Sequence, residues 1–432
     1  MQITKISLSN IRCFEHFEAD LRNGQDVKKW MIVLGDNGVG KTTLLRSIAL
    51  GLCEESGAAG LCAEIQGDWI RNGCDQGMIR IDIQPYPEYD GEAYVETTLN
   101  RSNYGEIKLV QKTYPPKDKK VKWETLFVCA YGAASSVYGS ADVSEYAVTD
   151  SVYSLFNYKS DLQNPELVLR RIAGERKSGI AEILRKLEAV LMIAPNSIEL
   201  TRSGIVVNGP WGKHMAIGSL GDGYKSTITW LLDLYGWKLL AEEHGSEFEL
   251  EGIVIIDEIE KHLHPRWQKQ LVGILSKQFP KLQFITSTHS PLCVIGSTEL
   301  SDDACCITVS RQGLTSVETK VATPPRGKRA DQVLTSYLFE LYTTGDESIK
   351  ENLGRYQYLY SQTKKSPEEI AEQDSLFDDL NETLGSAETE LEKKVGTVLN
   401  KSLEMLFHGQ VEDMAKASPE RFELIRQLKE LL

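Results

Sequence analysis

The chain has 432 residues, 41% hydrophobic and 25% charged, enough for one large domain and a smaller second unit. Its formal net charge of −14 weighs against coating nucleic acid by bulk electrostatics. The opening Met1-Gln2-Ile3-Thr4-Lys5 has no apolar signal core and no apolar run approaches the ~20 residues of a membrane span, so a cytoplasmic protein with no membrane partner is expected.

In chain order, Ile3, Ile6, Leu8 and Ile11 mark two short strands, and Met31-Ile32-Val33-Leu34 is an apolar run suited to a strand buried on both faces. It feeds the glycine-rich loop Gly35-Asp36-Asn37-Gly38-Val39-Gly40-Lys41-Thr42, after which Thr42 to Leu52 reads as a helix with Leu44, Leu45, Ile48 and Ala49 on one side. From about Ile79 to Phe127 strands and turns dominate, with Pro115-Pro116 breaking a hairpin. Residues 164–193 read as helical, opened by Asn164-Pro165, and 196–210 return to strands. A helix over 223–241, a buried strand over 252–256, a helix over 264–279 and a strand over 282–287 follow.

Beyond about Thr323 the character changes. Ser366-Pro367-Glu368-Glu369 is a capping box with proline at the first helical position, and Ser418-Pro419 opens the last helix similarly. Leu376, Leu380 and Leu384 recur at helical spacing, as do Leu391, Val395, Val398 and Leu399. Acids outnumber bases about five to one between Ser366 and Val395, so this tail suits packing or interaction rather than DNA. Domains are therefore expected at 1–322 and 323–432, with a helical lobe at about 133–245. The eight cysteines show no CxxC pair and no zinc-like His/Cys spacing, which points to reduced thiols.

Four elements carry chemistry. The first, at 35–42, fits GxxxxGK[ST] in full: glycines let backbone N–H groups turn toward phosphates, Lys41 offers a charge to the β/γ oxygens, and the Thr42 hydroxyl joins a Mg²⁺ shell. In the second, the strand Ile253-Val254-Ile255-Ile256 delivers Asp257 to the metal's water shell, with Glu258 beside it as general base for the attacking water. The third ends a strand in His289, about thirty residues on, where it could sense the γ-phosphate. The fourth, Ser219-Leu220-Gly221-Asp222-Gly223-Tyr224-Lys225, is a glycine-rich turn opening a helix, an anion site whose natural use is to cap a phosphate held by another copy. The bland alternatives are a buried strand with an acidic cap and a structural histidine; order and spacing favour the functional reading.

This ordered set resembles the ABC superfamily, in its soluble RecF/SMC-like branch. The resemblance covers about residues 1–320. It implies an α/β fold: an ABC-type P-loop ATPase head with a mixed central sheet, an antiparallel β lobe, a helical lobe and a helical C-terminal extension. Gly35 to Thr43 match Walker A, which brings in Thr43; Leu220 to Tyr224 take the signature position, so Leu220, Gly221, Asp222 and Gly223 join the nucleotide set. Asp257 and Glu258 match Walker B, Lys261 to His264 the D-loop, and His289 the switch histidine. Ser9-Asn10-Ile11-Arg12-Cys13-Phe14 is similar to the branch's N-x-R-x-F start, where Arg12 would lie near the nucleotide. Gly221 replaces the usual signature serine, which bears on hydrolysis rate more than on ATP-driven association. The Asp257–Pro265 stretch is typical of overcoming-lysogenisation-like ATPases. Ser154–Tyr158, Gln163–Glu166 and Ala330–Thr335 have the look of the AriA- and PtuA-like ATPases of PARIS, Septu and retron anti-phage systems.

The expected function is thus an ATPase that uses ATP and Mg²⁺, dimerises with a second copy of itself, and responds to a DNA or phage-protein trigger to control a separately encoded nuclease or toxin effector. A built-in nuclease is not expected, since Asp302-Asp303 is an isolated acidic pair. A RecF-like clamp that binds DNA in its ATP-bound dimer is the alternative, with Lys108 to Lys122 (Lys112, Lys117, Lys119, Lys120) and Arg326-Gly327-Lys328-Arg329 as basic paths, though both also fit a solvated hairpin tip and linker. A slow or inactive nucleotide-gated scaffold is the third possibility, motivated by Gly221 and the acidic helical tail. His262 and His264 fit a packing or dimer-contact role better than a metal site.

Overall fold

The computed structural model of the chain describes residues 1–24, 26–84, 92–102, 107–116, 123–133, 139, 143–157, 159–175, 179–202, 204–209, 211–241, 249–312, 316–339, 341, 351–352, 354–356, 358–359, 362 and 365–384. Residues Met1–Glu340 form one compact unit and Leu341–Leu432 a second. Lys117 to Lys122, the 391–399 spacing and Ser418-Pro419 lie outside the described residues.

The first unit opens with β1 (Gln2–Ile11) and β2 (Phe14–Asp20), followed by the two-residue strands β3 (Arg22–Asn23) and β4 (Asp26–Val27), then β5 (Trp30–Leu34). The expected two short strands at the start are in fact one ten-residue strand, β1, hairpinned to β2. Helices α1 (Lys41–Leu52) and α2 (Glu55–Glu64) lead to β6 (Gln76–Gln84), β7 (Tyr94–Arg101), β8 (Ile107–Tyr114) and β9 (Val128–Tyr131). Then come α3 (Val148–Phe156), α4 (Pro165–Glu175), α5 (Ile180–Val190), β10 (Ile198–Thr201), β11 (Gly204–Gly209), β12 (Gly212–Ala216) and α6 (Asp222–Ala241). The unit closes with β13 (Gly252–Ile256), α7 (Pro265–Gln278), β14 (Leu282–Ser287), α8 (Pro291–Ser297), β15 (Ala304–Gln312), β16 (Ser316–Ala322) and α9 (Ala330–Leu334).

Two sheets define the architecture. One is antiparallel, in the order β2-β1-β6-β7-β8; the other has six strands, β16-β15-β5-β14-β13-β9. In the second, β15, β5, β14, β13 and β9 run parallel and β16 returns antiparallel. The uninterrupted apolar runs of β5 and β13 follow from burial on both faces. Met31 and Val33 with Ile253 and Ile255 face one core; Trp30, Ile32 and Leu34 with Val254 and Ile256 face the other. The first core holds α1 and the antiparallel sheet, the second α4 to α7. Gln283, fully buried in β14, stitches the sheets together: its amide donates to the Ile3 and Lys28 carbonyls and accepts the Ile3 N–H. Such satisfied buried amides fix register as well as stability.

The residues 164–193, read as helical, hold α4 and α5. Asn164 caps α4, accepting the Glu166 and Leu167 amides, with Pro165 at the first helical position. In the second unit the helix Pro367–Leu384 carries the expected capping box: Ser366 Oγ accepts the Glu369 N–H, and Glu369 Oε2 accepts the Ser366 N–H.

Candidate nucleotide site

Because β5, β14 and β13 are parallel neighbours, the segments leaving their carboxyl ends converge on one sheet edge, the usual place for a ligand in such sheets. That edge receives the loop 35–40 from β5, Asp257-Glu258 from β13 and Thr288-His289 from β14.

The loop has the backbone that phosphate binding needs. Gly35 has φ +141°, and a Cβ there would fall 2.1 Å from the Val309 carbonyl oxygen, so no other residue fits. Gly40 has φ +113° and begins α1; a Cβ there would lie 2.5 Å from Cys13 Sγ. The helix that follows presents its positive end to the loop. Lys41 is only 6% exposed and its ammonium donates to the Gly35 and Asp36 carbonyls at 2.8 Å each, closing the loop around the charge. Burial pushes its pKa below the ordinary lysine value, opposed by Asp257, Glu258, Asp36 and Glu260. An anion held in the loop would add a direct charge partner to this desolvated cation.

Thr42 Oγ1 donates to Asp257 Oδ2 at 2.7 Å, and Ser287 Oγ donates to Asp257 Oδ1. Ser287 Oγ also accepts the Glu258 N–H at 2.8 Å, and Glu258 has φ +54°, a left-handed conformation that turns its side chain out of the strand direction. Glu258 is half-buried beside the 6%-exposed Asp257. His289 is tethered from behind: its N–H donates to Glu260 Oε1 at 2.7 Å. Ser287 and Glu260 escaped the sequence reading. The signal for Ser287 was its place just beyond the Ile256–Thr286 register pair, level with Asp257.

Thr42 and Asp257 give one hydroxyl and one carboxylate, a hard-oxygen pair that suits Mg²⁺ completed by phosphate and water, and among the described residues no cluster of three or more His, Cys, Asp or Glu competes for it. When bound, Mg²⁺ supplies charge neutralisation for the β- and γ-phosphate oxygens. His264 Nδ1 instead accepts the Arg266 N–H at 3.3 Å and caps α7.

The remaining residues lie apart from this cluster. Arg12, in a left-handed turn, donates to the Gln66 and Asp68 carbonyls and stacks over Trp69; its neighbour Cys13 packs on Gly40. The Gly221–Gly223 turn opens α6 and makes no hydrogen bond to the phosphate loop among the described residues. Gly223 backs onto the loop after Glu258, since a Cβ there would lie 2.5 Å from the His262 carbonyl, whereas Gly221 is exposed with no atom within 4 Å of its Cβ position. Tyr224 packs between Trp211 and Trp267 in tilted contacts, with ring centres at 4.5 and 5.0 Å.

Strand order, phosphate loop and acidic strand end together have the architecture of a P-loop nucleotide-binding ATPase site. An AAA-domain family model matches residues 5–183 and a second AAA-domain model residues 212–294. The Septu protein PtuA of Bacillus mycoides (strain KBAB4) is 26% identical over 401 residues, 92% of this chain and 52% of that protein. The retron Vc95 probable ATPase of Vibrio cholerae serotype O1 biovar El Tor is 43% identical over 83 residues, 19% of this chain and 16% of that protein. The chain thus spans about half the length of the PtuA relative. Among solved structures, an SMC head bound to the C-winged helix domain of ScpA superposes with a TM-score of 0.47 at 16% identity, covering 74% of this chain and 98% of the head. Among the described residues no helix is long and apolar enough to cross a membrane.

Proposed function

We propose that this chain is the ATPase of a bacterial anti-phage defence system, that it assembles through ATP held between two copies, and that the assembly controls a separately encoded effector nuclease. The observation that carries the assembly step is the split character of the site: the phosphate loop is closed on itself, while Gly221 and Asp222 at the start of α6 are exposed and make no hydrogen bond to that loop among the described residues. A second copy in head-to-tail contact would place that turn over the γ-phosphate. In this reading Lys41, the loop amides and Thr43 hold the phosphates, Thr42 and Asp257 the Mg²⁺ shell, Glu258 takes the proton from water, and His289 reads the γ-phosphate. Arg12 flanks the loop through Cys13. The defence role rests on the named relatives, a cytoplasmic location follows from it, and the trigger is DNA or a phage protein.

Light scattering of the Glu258→Gln variant is the test: mass doubles with ATP and Mg²⁺, and stays single without nucleotide or with Lys41→Ala added. A single mass in every condition removes the assembly reading. Nuclease activity should need the separately encoded partner; DNA cleavage by this chain alone, lost on changing Asp302 or Asp303, refutes the effector reading.

A DNA clamp is the second reading, favoured by one feature: Lys108 and Lys112 are both exposed on β8, the edge strand of the antiparallel sheet. Reversing both charges should lower DNA affinity at least tenfold if the clamp exists; unchanged affinity removes it.

A further inference from the structure

The residues after β14 are pinned one by one to different elements. The Thr288 N–H donates to the Val33 carbonyl of β5 at 3.1 Å, the His289 N–H to Glu260 Oε1 in the turn after β13 at 2.7 Å, and Ser290 Oγ to Gln268 Oε1 of α7 at 2.7 Å. Gln268 in turn donates through Nε2 to the Leu263 carbonyl at 2.8 Å, so one side chain of α7 bridges the two turns. The contacts at Thr288 and Ser290 fix the ends of this short segment. Glu260 holds its middle, by the peptide N–H of the histidine itself.

A carboxylate is a poor choice for that bond if stability alone is at issue. The second oxygen of Glu260, Oε2, is buried and accepts no hydrogen bond among the described residues. A buried acceptor left unmet destabilises a fold, more so when it carries charge. What the side chain contributes is one short, charge-assisted bond, made to a peptide whose neighbours are already held. Glu260 is also among the carboxylates close enough to Lys41 to oppose the fall in that ammonium's pKa, so its charge belongs to the phosphate edge rather than to a remote turn.

We propose that Glu260 is a positioning residue for ATP hydrolysis: its bond to the His289 N–H sets where the imidazole stands relative to Glu258. This rests on the reading that His289 meets the γ-phosphate and Glu258 takes the proton from water. Glu260 acts through the backbone of the histidine and touches neither ATP nor the attacking water. The turn that carries it is itself tied to the end of β14, since the Ile259 N–H donates to the Ser287 carbonyl and the Glu258 N–H to Ser287 Oγ. The base and the histidine therefore share one braced unit. A misplacement of about 1 Å at a reacting site can cost on the order of 10²-fold in rate, so this bond matters more to turnover than to folding.

Variants of the full chain test this: Glu260→Ala, Glu260→Gln, His289→Ala, and Glu260→Ala combined with His289→Ala. Each is measured by single-turnover hydrolysis with Mg²⁺, equilibrium ATP titration and urea unfolding. Glu260→Ala should slow hydrolysis by about 10–100-fold, with ATP affinity within about threefold of wild type and an unfolding midpoint close to it. Glu260→Gln keeps an acceptor of the same shape and should recover the rate to within about threefold. The double variant should be no more than about threefold slower than His289→Ala, because the carboxylate acts only through that residue. Glu260→Ala as fast as wild type, Glu260→Gln as slow as Glu260→Ala, or losses that multiply in the double variant overturn the inference. A Glu260→Ala chain whose ATP affinity or unfolding midpoint falls in step with its rate has a structural defect, which overturns it too. His289→Ala with the same rate as wild type, whatever that rate is, instead removes the reading of the site beneath it.

Discussion

Around the phosphate loop, Lys41, Thr42, Asp257 and the Glu258 amide are each hydrogen-bonded within the chain, whereas Gly221 at the start of α6 faces open space. One region is preorganised before nucleotide arrives; the other has shape but no partner. Preorganised dipoles and charges favour transition-state stabilisation, because nothing must reorganise when charge develops. An exposed helix start has no such advantage until something covers it. If the proposed function holds, chemistry and control are divided between these two surfaces, and substitutions on each should fail differently.

The largest separation should come from the catalytic side. Glu258→Gln keeps the backbone that Ser287 supports and leaves the loop untouched, so ATP should still bind while turnover falls by about 10²–10⁴, the ordinary worth of a general base. Lys41→Ala should instead lose nucleotide binding itself. Single-turnover hydrolysis alongside equilibrium ATP titration checks both; equal and appreciable turnover in wild type and Glu258→Gln would show that Glu258 is not the base, and equal negligible rates would favour a nucleotide-gated scaffold.

Next is the rigidity of the loop. Gly35→Ala sets a methyl 2.1 Å from the Val309 carbonyl at φ +141°, with backbone on both sides of the clash. A destabilisation of about 2–4 kcal/mol is expected, with loss of ATP affinity, seen in urea unfolding and nucleotide titration. A Gly35→Ala protein as stable as wild type would show that the loop is looser than its hydrogen bonds imply.

Asp233 of α6 accepts the hydroxyl of Tyr131, whose carbonyl receives the Asp257 N–H, and its titration is a third probe. Because burial raises its pKa from 3.8 to about 7, the fold prefers the protonated acid. That contribution is fully present below the unfolded value and is lost as pH rises through about 7. Wild-type stability relative to Asp233→Asn should therefore fall by on the order of 3 kcal/mol between pH 4.5 and pH 8. Denaturant melts of both proteins across that range measure it, and a flat difference would mean that Asp233 is ionised throughout.

Much of this was legible in the sequence because it is carried by local pattern. The buried runs 31–34 and 253–256, the glycine spacing of 35–40 and the Ser366 capping box each encode their structure within a few residues. What escaped depends on pairing across distance. Ser287 gains its role only because β14 lies beside β13, and Glu260 only because the turn after Glu258 reaches back to the His289 amide. The hairpin β15–β16 and the helix α3 also went unread. The α3 helix carries Val148, Thr149 and Val152, which have low helix propensity, so its packing on β9 decides the matter.

The smallest effect should also be the most instructive about the open surface. Gly221 has no φ in the left-handed region and nothing within 4 Å of its Cβ position, so Gly221→Ser meets no steric objection. Stability should stay within about 0.5 kcal/mol, as for other surface substitutions. A serine hydroxyl there adds one donor to a turn that, in the proposed dimer, would face the γ-phosphate. Turnover should then rise by about two- to tenfold, the worth of one ordinary to charge-assisted hydrogen bond, and only under conditions where the protein dimerises. The rate must be read against protein concentration. A gain that persists in dilute monomer would place the serine's effect within its own chain, and the open turn would no longer need a second copy to be used.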